Sequence, residues 1–148
     1  MSHIVTIQAE LRDLAAIKAA CKRLGWEFVA NKETFEWYGR YVGDYPVFQQ
    51  QLLDLGIEVT DYGKCTHAIK VPGARYEIGL VAKGNKFVPL WDTWRPGGLQ
   101  DVTNETGMNG FLAAYAVEKT KLEARRKGYQ VKEHKADNGN VELEITVP

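Results

Sequence analysis

Cys65-Thr66-His67 puts a thiol and an imidazole two residues apart, which on an extended strand is one face. With His3, Asp61 or Cys21 the pair has the donor types of a zinc site, or of a thiolate–imidazole nucleophile. Zinc takes three or four ligands and no second clear pair supplies them, so no metal is expected, and Cys65 and His67 read first as a structural thiol and a surface imidazole. Trp91-Asp92-Thr93-Trp94-Arg95 sets a carboxylate and a guanidinium among two indoles at a strand end. Cys65, His67, Asp92, Trp94 and Arg95 together make one candidate pocket for a small ligand or an enzyme active site. A lone aspartate without a partner base is more often a turn cap, which weighs against catalysis. Arg75 and Glu77 read as solvent-facing strand charges.

A second constellation is Trp37-Tyr38-Gly39-Arg40-Tyr41 with Tyr45. Amphipathic rings around a guanidinium suit a protein interface, or the stacking of a base. Tyr38, Tyr41 and Tyr45 share no single period of the kind a core imposes, which favours recognition over packing. Arg125, Arg126 and Lys127 end a helix, where cations compensate the dipole more often than they bind phosphate. There is no glycine-rich phosphate loop, serine elbow or zinc-protease helix, and no cofactor is expected.

Elements must hold these residues, and 148 residues suffice for one domain with a real core. Nineteen basic residues oppose nineteen acidic ones, so no global field attracts nucleic acid or an anionic membrane. No run approaches a membrane span, and no basic stretch followed by an apolar one opens the chain. A cytoplasmic protein with free thiols is the expectation.

Val5, Ile7, Ala9 and Leu11 alternate as a strand. Asp13 caps a helix bearing Leu14, Ile17, Cys21 and Leu24, which Gly25 closes. Trp26–Val29 reads as a strand with Phe35 and Trp37 as its hairpin partner, and Pro46–Gly56 as a short helix in a 46–63 excursion from the sheet. Strands follow at His67–Val71, Tyr76–Ala82 and Phe87–Trp91, and Pro89 predicts that the last is an edge or bulged. A second long helix spans Asn109–Lys127. Asn138-Gly139 then turns a final hairpin of Tyr129 and Val131 with Val141, Leu143, Ile145 and Val147. Lys22–Trp26 and Arg125–Tyr129 echo each other, as common helix-exit chemistry would produce or, less expected, two strand–helix–hairpin units in tandem. The expected fold is α+β, a two-layer sandwich with mainly antiparallel strands and both long helices on one sheet face.

Several stretches together resemble the hypothetical chloroplast reading frame thirty-five family, a domain of unknown function numbered twelve fifty-seven. They are Met1–Ile7, Tyr76-Glu77-Ile78-Gly79, Ala114-Tyr115-Ala116 and Gly128-Tyr129-Gln130-Val131, with the Asn138-Gly139 turn. Gly63–Gly73 is similar to a longer bacterial branch, and the family's basic–tryptophan ending is replaced by Val147-Pro148. The resemblance implies an accessory role and no residue-level activity. The leading expectation is a non-catalytic binding or adaptor module, engaging a protein partner or itself through Trp37, Tyr38, Arg40, Tyr41 and Tyr45. The Cys65/His67/Asp92/Arg95 pocket is the alternative. Single-stranded nucleic acid is weaker still, because the charge is neutral.

Overall fold

The computed structural model describes residues 4–5, 10–40, 46–100, 108–138 and 140–148. In chain order they form β1 (Ile4–Val5), α1 (Leu14–Leu24), β2 (Glu27–Val29), α2 (Pro46–Asp54), β3 (His67–Lys70), β4 (Glu77–Lys83), β5 (Lys86–Asp92), α3 (Asn109–Arg126), β6 (Gln130–Lys135) and β7 (Val141–Thr146). Strands β1-β5-β4-β3-β2 lie side by side in that order, every pairing antiparallel, and β6 pairs with β7 as a separate sheet. The class is α+β.

Both long helices end by one device. Gly25 and Gly128 take φ of 73° and 83°, so the next amide turns back to the carbonyl five residues earlier. Trp26 N donates to Cys21 O at 2.8 Å and Tyr129 N to Ala124 O at 3.0 Å. The echo in the sequence is thus two copies of one helix exit. It does not extend to the sheets, because β6 and β7 form their own. Asp13 caps α1 as expected, its Oδ1 accepting from Ala16 N at 3.2 Å.

Alternation along the strands sorts the core into two clusters. Ile69, Ile78, Leu80 and Trp91 share one with Ile17 and Cys21 of α1 and Phe111 and Tyr115 of α3. Leu14, Leu24, Leu112 and Leu122 pack against it. Ala68, Val88 and Leu90 belong to the other, with Phe35, Leu52, Ile57 and Tyr62. The 46–63 segment, expected as an excursion, therefore supplies core residues over the second side of the sheet.

Three expectations need correction. Phe35 and Trp37 do not pair with β2, whose partner is β3; among the described residues this segment bridges instead from Thr34 to Lys64. Strand β5 is not the edge of the sheet, because β1 lies beyond it, pairing with Trp91 and Asp92; the chain opposite Pro89 lies outside the described residues. The two-residue turn makes Lys83–Lys86 a hydrogen-bonded pair, so Leu80–Pro89 is a non-bonded one and the missing N–H falls on the β1 side. Phe87 N, on that same side, donates to Leu11 O. Glu77, read as a solvent charge, is 4% exposed. Of the Val5–Leu11 strand, residues 6–9 lie outside the described residues.

Candidate functional site: an arginine-capped ladder of rings

The candidate site is built on two buried carboxylates. Glu77 Oε1 accepts from Lys32 Nζ at 2.5 Å and from Glu36 N at 2.9 Å, and Glu77 N donates back to Glu36 O at 3.0 Å. Asp92, fully buried, accepts from Tyr38 N at 3.0 Å and Trp94 N at 2.9 Å. Beside these two anchors Phe35 covers Gly79, where a Cβ would lie 2.2 Å from the ring. Residues 32–38 are thus a strap stitched across the sheet by charge-assisted bonds to its amides and by one buried ring.

The strap presents Tyr38 to Trp94. Their rings meet edge to face, centroids 5.3 Å apart and planes at 70°. Trp94 in turn stacks near Tyr76, at 6.0 Å and 29°. Guanidinium groups cap both ends: Arg40 lies 5.7 Å from the Tyr38 centroid and Arg75 6.0 Å from that of Tyr76. Tyr38 is 37% exposed and Tyr76 3%, so the ladder runs from solvent into the protein. Burial, then the Asp92 carboxylate, raises the Tyr76 phenol above its ordinary value, keeping it neutral. Gly97 allows this packing, because a Cβ there would sit 2.1 Å from Tyr76 Cδ2.

Residues from both sequence constellations meet here: Tyr38 and Arg40 from one, Asp92 and Trp94 from the other. Trp37 turns inward, its indole over Gly63 and edge-on to Tyr62 at 6.1 Å. Arg95 is exposed in the adjoining 3-10 turn. Tyr41 and Tyr45 lie outside the described residues.

The Cys65–His67 pair comes apart. The strand begins only at His67, and Cys65 packs against the second cluster, its Sγ donating to Lys32 O at 2.9 Å. Burial pushes its thiol up to about 11, and that of Cys21 up to about 12. Neither is a thiolate at neutral pH. His67 pairs with Leu80 on the first-cluster side, between Phe28 at 5.2 Å and Phe87 at 5.6 Å, while Asp92 follows Leu90 on the opposite side. Its Nδ1 accepts from Asn31 N at 2.9 Å; burial, then Lys18, holds its pKa below the usual imidazole value. Cys65 and His67 thus lie apart from the Asp92–Trp94 end. Among the described residues no group of three or more His, Cys, Asp or Glu is placed to hold a metal ion. Among them, too, no helix is long and apolar enough to cross a membrane.

The sequence reading missed Glu77 and Tyr76. Gly79 carried the available signal: a glycine inside a strand marks something pressed against that face, and a carboxylate two residues away then loses its solvent. Comparison with family models, curated proteins and solved structures gives no match.

Proposed function

We propose that this chain is a non-catalytic binding or adaptor module whose working face is the Tyr38–Arg40–Trp94 end of the ladder, with a protein partner or a second copy as its ligand; Tyr41 and Tyr45, outside the described residues, belong to the proposal on their sequence alone. The observation that carries this is a partly exposed tyrosine held rigidly on a buried carboxylate and flanked by arginine. Rings and guanidinium groups fixed before binding lose little entropy on contact, and they dominate interface energies. The resemblance to the chloroplast reading frame family, with its accessory role, and a cytoplasmic setting belong to the same proposal. Single-stranded nucleic acid is the second reading, favoured by the ring–arginine ladder and opposed by zero net charge.

Tyr38→Ala and Arg40→Ala test it by sedimentation of the pure protein and by partner capture, each beside a thermal melt. Truncating an anchor is expected to weaken assembly by about 1–4 kcal/mol with little change in melting. Earlier melting with undiminished assembly would refute the reading.

A further inference from the structure

The inner end of the ladder opens on a cavity of about 410 Å³ that the partner-binding face does not use. Glu27 pairs across the sheet with Lys70, and Lys70 with Glu77, so three charged side chains of alternating sign stand in a row on one face. All three line the cavity, with Glu36 from the strap and Arg75 and Tyr76 from the loop before β4. Its volume is that of a small-molecule site.

We propose that this cavity binds a small zwitterion, a primary ammonium and a carboxylate on one short frame, the chemistry of a free amino acid. The first reason is Glu77. It is 4% exposed, and both of its bonds use one oxygen; among the described residues Oε2 accepts nothing. A buried carboxylate oxygen left without a donor is costly, and a ligand N–H is what completes it. The second reason is the balance of charge. Glu27, Glu36 and Glu77 line it together with Lys32, Lys70 and Arg75, three of each sign, with Lys32 already paired to Glu77. A simple anion would meet the three carboxylates, a simple cation the three cations, and an apolar ligand would leave Oε2 unpaired. A molecule of both charges meets both halves of the lining: ammonium to Glu77 and Glu36, carboxylate to Arg75 and Lys70. Val71 and the Tyr76 ring give an apolar wall for its side chain. The site stands independently of the partner reading, since the outward rings Tyr38 and Trp94 are not part of its lining.

The experiment is a ¹H–¹⁵N NMR titration of the full chain with each of the twenty amino acids at millimolar concentration, with n-propylamine and propionate as controls. One or more amino acids should shift the amides of Lys70, Arg75, Tyr76 and Glu77 saturably, and neither control should. Arg75→Ala removes an exposed side chain and should weaken that binding by about tenfold or more, the loss of one charge-assisted hydrogen bond. Glu77→Gln should do the same, and Arg75→Ala keeps the test decisive if Glu77→Gln fails to fold. No saturable shift with any amino acid would overturn the proposal. So would propylamine or propionate binding as well as an amino acid, or unchanged affinity in Arg75→Ala.

Discussion

Gly79→Ala puts the covering of the second sheet face to a direct test. The new methyl carbon would sit 2.2 Å from Phe35 Cδ1 and 2.6 Å from Cε1, well inside contact distance. Phe35 cannot simply swing away. It is 3% exposed, its amide is bonded to Gly63 O at 2.9 Å, and the next amide is held by Glu77. Overpacking of this kind costs about 1–3 kcal/mol. Replacing glycine within a strand returns about 0.5–1 kcal/mol of backbone entropy, leaving a net loss of about 1–2 kcal/mol. In a chain of this size that lowers Tm by about 3–8 °C. Phe35→Ala alone should cost about 3–5 kcal/mol by opening a cavity. The double variant should be more stable than additivity predicts by about 1 kcal/mol or more, because the alanine methyl then occupies space the ring has left. Urea melts of the four proteins give the cycle. A neutral or stabilising Gly79→Ala, or strict additivity, would show that Phe35 does not lie on the sheet and would remove the strap from the fold.

Two further outcomes follow from the ionisable groups. Arg126, donating to Asp13 at 2.8 Å, holds the Asp13 carboxyl below the ordinary carboxylate value, so its stabilisation is complete above the unfolded pKa of about 4 and is lost as pH falls through the lower folded value. Asp13→Asn keeps the cap and removes the charge, so urea melts should show it less stable than the parent at pH 7, with the gap closing in acid; a gap independent of pH would contradict the pairing. Both thiols should react slowly with a disulfide reagent at pH 8 and rapidly in denaturant, Cys21 being the slower in the native protein, because burial raises each pKa; fast native labelling of Cys21 would contradict its place in the core.

Local chemistry made much of the fold readable. Asp13, Gly25 and Gly128 announce where helices begin and end, and β3, β4 and β5 fall within a residue or so of their expected spans, because caps and alternation act over a few residues. What failed was long-range. Nothing local distinguishes a strand that pairs with β2 from a strap that crosses the sheet, and Phe35-Glu36-Trp37 alternates in either case. The decisive facts about that segment are Gly79 and the carboxylates of Glu77 and Asp92, which lie 40 to 57 residues further along the chain. The site was legible as composition, in its aromatics and arginines, and illegible as a place. Tyr38 and Trp94 are joined only by the way the strap returns to the end of β5.

The two buried carboxylates have a structural part in common. Here Asp92 is engaged by the amides of Tyr38 and Trp94, and Glu77 gives one oxygen to Glu36 N and Lys32. Both acids fix backbone, and what they fix is the base on which the rings stand. The terminal hairpin is held in the opposite manner. A lone pair of strands is marginal in water. It is tied to the helices by Glu133, which reaches Arg23 at 2.6 Å and Lys121 at 3.4 Å, while Val141, Ile145 and Val147 remain exposed. Surface ion pairs of this kind contribute little and weaken in salt. Burial and charge-assisted bonds are therefore concentrated at the strap and sparse at the hairpin, and the proposed partner face stands on the better-held of the two.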